Sequence, residues 1–278
     1  GIWTGEPNPA PWEKVVHAIR NPKREVRIAM VGKYVDLTDS YKSLNESLTH
    51  GGIANECAVS VEHYDSEQVE TDGLCEGIRT ADAILVPMGF GPRGTEGKIA
   101  TVKFAREEGI PYLGICFGMQ MSVIEFARHV CGLEGANSTE VDPDTPHPVI
   151  HLMSDQADVT DKGGTMRLGA YDAKLSPNSA VATQYGAPEI SERHRHRYEV
   201  NKNYIPKLEA GGLIFSGMSL IDYWWSGIIY AIALIYMFLG VAIISDIFME
   251  SIEVITSQTI KRKYTDRDGV ERVSEINV

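Results

Sequence analysis

The chain has 278 residues, 43% of them hydrophobic and 23% charged, enough for one large α/β domain with or without an appendage. A net charge of -12 argues against general affinity for nucleic acid, which needs a basic face. The four cysteines (Cys57, Cys75, Cys116 and Cys131) show neither CxxC pairing nor the spacing of a disulfide framework, and no secretory signal opens the chain, so free thiols in the cytoplasm are expected.

Pro7, Pro9, Pro11 and Pro22 interrupt residues 1–24, which read as a linker entering a domain. Residues 26–31 (VRIAMV) form a short apolar run closed by Gly32 and predict a buried strand. In residues 39–51, Tyr41, Leu44 and Leu48 recur at helical spacing, with Asp39 or Ser40 as the N-cap. Strands are expected at 59–64, 83–87 and 111–115, and helices at 97–108 and 117–130. Residues 137–148 read as a Pro- and Asp-rich loop, followed by short strands and turns to Gly217. Strands alternating with helices predict an α/β fold, a doubly wound and mainly parallel sheet over residues 25–219.

The composition changes near residue 220. Residues 224–244 (WWSGIIYAIALIYMFLGVAII) carry no charged side chain. About 20 apolar residues at 1.5 Å rise span a hydrocarbon core of about 30 Å. Tyr223, Trp224 and Trp225 sit where an interfacial aromatic belt would lie, so a transmembrane helix is expected; a buried core helix is the other reading. Residues 260–278, with Lys261, Arg262 and Lys263, read as a polar, solvated tail.

Gly114-Ile115-Cys116-Phe117-Gly118 has the form of a nucleophile elbow with cysteine in place of serine. The helix opening at Phe117 would put its positive end at the sulfur and lower the thiol pKa, while the Phe117 N–H would face an oxyanion. A buried structural cysteine is the competing reading. Gly89-Phe90-Gly91-Pro92-Arg93-Gly94 fits G-x-G-x-x-G, yet it follows the third strand, and Pro92 removes an N–H that a phosphate would use. A loop facing Cys116 is the better reading. On a strand, His194 and His196 would share one face, but no third ligand at zinc spacing is evident, so no metal is expected. A surface strand with one arginine reaching a carboxylate is preferred there.

Residues 83–120, together with GKYVDLTDSYKSLNESLTHGG (32–52), NSTEV (137–141), DKGGTMRLGAY (161–171) and ISERHRHRYEVN (190–201), resemble the class I glutamine amidotransferase domain of CTP synthases, bacterial ones above all. The resemblance implies that Cys116 attacks the side-chain amide of L-glutamine to form a thioester. It implies an oxyanion hole from the N–H groups of Gly89 and Phe117, with Phe90 lining the pocket. Gln120, Glu140 and Arg197 would bind the substrate, Arg197 at its α-carboxylate. Arg167 would lie in a loop linked to GTP, the one effector implied. The ammonia would convert UTP to CTP on a synthetase domain that uses ATP and Mg2+ and would precede Gly1, so no cofactor is expected in this chain.

Two departures stand out. Met88 replaces the first glycine of the family's pair after the third strand, where a β-carbon would oppose a positive φ. The resemblance also stops near Ser219, and the family's His-Pro-Glu motif, source of its general base, does not occur here. The triad is therefore incomplete on this reading, turnover is expected to be impaired, and neither His194 nor His196 is assigned as base. Residues 230–259 are similar instead to the first transmembrane helix of animal sodium/calcium exchangers. The chain reads as a chimera: a glutaminase-type domain and one membrane helix. A membrane-anchored glutamine-binding module and a non-catalytic exchanger fragment are the alternatives.

Overall fold

The computed structural model describes residues 8–35, 38–153, 167–219, 259–265 and 271–277. Its centre is a four-stranded parallel sheet of β1 (Arg24–Gly32), β2 (Cys57–Asp65), β3 (Ala83–Val86) and β4 (Tyr112–Gly114), ordered β2-β1-β3-β4. The chain adds β2 on one side of β1 and then β3 and β4 on the other. Strand order therefore reverses at β1, and a doubly wound sheet opens its ligand crevice beyond the strand ends at such a point.

Period-two alternation along the strands builds a core on each face of the sheet. Ala29, Val31, Ile84 and Val86 pack with Val69 of α3 (Ser66–Asp72), Ile78 of α4 (Glu76–Arg79) and Ala105 of α5 (Thr95–Glu108). Met30 and Leu85 point the other way, against Tyr41, Leu44 and Leu48 from the 3-10 turn Thr38–Tyr41 and α2 (Lys42–Ala54). A third cluster joins α6 (Phe117–His129) through Met121, Ile124 and Ala127 to Val149 and Ile150 of β6 (Pro148–Leu152).

Beyond α6 the chain builds two smaller sheets. Strands β5 (Asn137–Ser138), β6 and β9 (Tyr198–Val200) form one, in the order β5-β6-β9. The second, ordered β10-β7-β8, is antiparallel: β7 (Arg167–Leu175) pairs with β8 (Glu189–His196) on one edge and β10 (Gly217–Ser219) on the other.

Several expectations need correction. Residues 10–20 of the expected linker form helix α1 (Ala10–Arg20), with Pro9 at its N-cap and Pro11 in its first turn. A proline there loses no helical hydrogen bond, since those N–H groups have no intrahelical acceptor. Helix α2 begins later than expected, capped by Tyr41 without a side-chain bond, because Asp39 and Ser40 belong to the 3-10 turn. The loop expected over residues 137–148 contains β5. In the expected polar tail, β11 (Thr259–Thr265) and β12 (Glu271–Asn277) pair antiparallel, from Thr259 opposite Asn277 to Thr265 opposite Glu271. The expected membrane helix at 224–244 lies outside the described residues; among those, no helix is long and apolar enough to cross a membrane.

Candidate active site

Cys116 is the single residue between Ile115, just past β4, and α6. Its backbone sits at φ 56 and ψ -106, a conformation that non-glycine residues rarely hold without compensation. Compensation comes from close backbone packing around the turn. The Ile115 N–H donates to the Val86 carbonyl at 3.0 Å, and the Gly118 N–H donates to that of Ile115 at 3.0 Å. A β-carbon on Gly118 would fall 2.0 Å from the Val86 oxygen, and one on Gly114 would fall 2.5 Å from the Gly118 carbonyl carbon. These two glycines are therefore required for close approach, not for left-handed φ. Cys75 also precedes a helix, the single turn of α4, but with extended backbone at φ -78.

The loop after β3 is held from both sides. The Lys33 ammonium donates to the carbonyls of Phe90 (2.6 Å) and Gly91 (3.0 Å), while the Gly91 N–H donates to Glu140 Oε1 at 3.1 Å. Gly91 and Gly94 supply the left-handed turns at φ +74 and +64. Met88 does not adopt a positive φ and lines the pocket, so its β-carbon is accommodated. With Gly91's N–H given to Glu140, this loop is built to face Cys116 and not to cradle a phosphate.

A cleft of about 950 Å³ opens here. Gly89, Phe90, Cys116, Gln120, Glu140 and Arg197 all line it, six of the eight residues singled out from the sequence. Gln120, only 5% exposed, donates its amide N–H to the Tyr198 carbonyl at 3.0 Å, fastening α6 to β9. Phe117 lies buried beneath, its ring centroid 5.6 Å from the Lys33 ammonium and 5.1 Å from that of Lys98. Arg167 begins β7, in register with His196.

At the sulfur the structure corrects the sequence reading twice. Burial pushes the Cys116 thiol above its usual range. The N–H of Phe117 opposes this, the Glu140 carboxylate adds to it, and the Gly89 N–H opposes it in turn. The helix end was expected to lower the thiol pKa, but desolvation outweighs it. Second, His196 is not confined to a surface strand: its Nε2 lies 3.2 Å from Cys116 Sγ. His194 does share its face, the two rings 5.5 Å apart. No cluster of three or more candidate metal ligands occurs among the described residues.

Lys98 was also missed. Its side chain is fully buried, its ammonium has no hydrogen-bond partner, and burial together with Lys33 holds its pKa down to about 7. Only its place in the first turns of a helix after a glycine-rich loop would have singled it out.

A strained cysteine at a strand-to-helix elbow thus lines the cleft, with the backbone N–H groups of Phe117 and Gly89 at its sulfur. The family model "Glutamine amidotransferase class-I" matches residues 36–229, and the chain belongs to that family. Within it, the chain is homologous to the glutaminase domain of CTP synthases. It is 57% identical over 218 residues to the CTP synthase of Syntrophus aciditrophicus and 56% identical over 218 residues to that of Geobacter sulfurreducens. Both alignments take in 78% of this chain, which spans 40% and 41% of those proteins. The solved glutaminase domain of Trypanosoma brucei CTP synthase with bound acivicin is similar at 39% identity and a TM-score of 0.63, over 69% of this chain and 74% of that one. The family match runs past Ser219 into the apolar segment.

Proposed function

We propose that this domain hydrolyses L-glutamine through a thioester on Cys116. The observation that carries the reading is the placement of the Cys116 thiol in one cleft with Gly89, Glu140 and Arg197. A carboxylate and a guanidinium suit the α-ammonium and α-carboxylate of a free amino acid. Cys116 attacks the side-chain amide carbon, the N–H groups of Gly89 and Phe117 receive the developing oxyanion, and ammonia leaves. Water then cleaves the thioester to release glutamate. Phe90 and Gln120 shape the pocket, Gln120 by keeping α6 against β9.

By likeness to CTP synthases, the ammonia serves the conversion of UTP to CTP on a cytosolic synthetase domain using ATP and Mg2+, with GTP acting at the Arg167 loop. The uncharged run at 224–244 supports a second feature, a membrane anchor; sedimentation with membranes that survives high salt and fails in detergent tests it. Glutamate release from glutamine, abolished in Cys116→Ala, tests the main reading. An unchanged rate in that variant, or acivicin that fails to protect Cys116 from alkylation, overturns it.

A further inference from the structure

We propose that His196 is the base paired with Cys116, taking the sulfur's proton and returning it to the leaving nitrogen. The inference rests on the glutaminase reading for its substrate but on geometry for the pair. Of the eight histidines, all within the described residues, His196 is the one with a ring nitrogen in hydrogen-bond reach of the thiol, at 3.2 Å.

The backbone that carries this imidazole is fixed from three directions. His196 is in register with Arg167 at the end of the β7–β8 ladder. The next carbonyl, that of Arg197, accepts the Met153 N–H at 2.9 Å, which ties the strand end to the edge of β6. One residue further, the Tyr198 carbonyl accepts the amide of Gln120, in the first turn of α6, the helix that Cys116 caps. Nucleophile and base are thus braced by the same helix. The ring is also backed by side chains: His194 lies against it, and Tyr171 meets His194 edge-on at 5.7 Å and 84°. A base must be held within about 3 Å of the proton it moves, and packing of this kind supplies that constraint.

Burial makes the pairing chemically necessary. A desolvated thiol above its usual range holds little thiolate at neutral pH, so its proton has to leave as the carbon–sulfur bond forms. His196 Nε2 accepts the S–H proton while sulfur adds to the amide carbon. The imidazolium then donates to the amide nitrogen, the C–N bond breaks and ammonia departs. Water attacks the thioester carbon, giving a proton to His196, and that proton returns to sulfur as the C–S bond breaks. The sum is glutamine plus water to glutamate plus ammonia. The charges that face the pair are Glu140 from the turn after β5, and Arg195 and Arg197 from β8 and its end. Tyr34, Tyr41 and Tyr198 complete the titratable lining, and Lys33 and Lys98 lie beyond the Phe117 ring.

The test reads the pair separately from turnover. Alkylation of Cys116 by iodoacetamide, followed by mass spectrometry from pH 5 to 10, is compared in the wild type, His196→Ala, His196→Gln and His194→Ala. The expected result is an acidic limb lost in both His196 variants, with alkylation at pH 7 about tenfold slower, while His194→Ala keeps the limb with a smaller slowing, since the His196 ring loses a supporting neighbour but not its nitrogen. Glutamine hydrolysis should fall by roughly 10²–10⁴-fold in the His196 variants. Because His196→Gln keeps a hydrogen-bonding side chain of similar reach, loss in that variant with an unchanged urea midpoint identifies proton transfer and not packing. Superimposable alkylation profiles in wild type and His196→Gln overturn the pairing. A wild type that releases no glutamate yet shows the His196-dependent limb supports the pair and sinks the glutaminase reading alone.

Discussion

Gly118→Ala probes how the elbow is built. The new β-carbon would lie 2.0 Å from the Val86 carbonyl oxygen and 2.8 Å from its carbon, contacts that no side-chain rotation relieves because both partners are backbone. Ordinary contact requires the start of α6 to retreat from β3 by about 1 Å. Overpacking of this kind costs about 1–3 kcal/mol, and the better helix propensity of alanine returns up to about 1 kcal/mol. A net loss of about 1–2 kcal/mol is expected, read as a lower urea midpoint with an unchanged slope. The retreat carries Cys116 with it, since the Gly118 N–H bonds to Ile115 and the Gly118 carbonyl accepts the Tyr112 hydroxyl at 2.7 Å. A displacement of about 1 Å at a nucleophile costs about 10²-fold in turnover. A variant as stable as the wild type, or more stable by the propensity gain, would refute the close-packing account.

Glu125 is 1% exposed, accepts Arg106 Nη2 at 2.8 Å and lies 3.2 Å from His129 Nδ1; Glu125→Ala should cost about 3 kcal/mol in thermal or urea unfolding, and a loss below about 1 kcal/mol would show the network contributes little. Lys98, held down to about 7 when folded against its ordinary 10.5, binds fewer protons folded than unfolded between those values. Stability should therefore climb with pH across that window, by about 2 kcal/mol from pH 7 to 9 relative to Lys98→Met, with the full penalty present below pH 7. Parallel pH profiles for the two proteins would argue against an unpaired buried ammonium. A glutamine-mimicking electrophile should label Cys116 ahead of Cys57, Cys75 and Cys131; equal labelling of the folded protein would count against an organised elbow.

The central strands were legible because short apolar runs with period-two burial have few alternatives, as β1 and β3 show. Helix α1 was not, because four prolines suggest breaks to a sequence reader, although Pro9 at the cap and Pro11 in the first turn break no helical hydrogen bond. The elbow at Cys116 was visible in five consecutive residues, whereas its electrostatics were not: a helix dipole follows from position, but desolvation depends on what packs above it. His196 illustrates the same limit. Its motif was plain, yet its partner lies 80 residues away, and only the turn from β8 into β9, bonded to Met153 just past β6 and to α6, brings the two together.

That sequence separation has a consequence during synthesis. The site draws its loop from the end of β3, its nucleophile from the start of α6, its carboxylate from the turn after β5, and its imidazole from β8. The first two emerge from the ribosome well before the last. Until roughly residue 200 has been made and β9 has joined β6, Cys116 sits on a nascent chain without the imidazole beside its sulfur. Contacts so distant in sequence close late, after local elements have formed. On the proposed pairing, the emerging polypeptide would carry Cys116 without its base, and the capacity to attack an amide would arise only when the last piece docks.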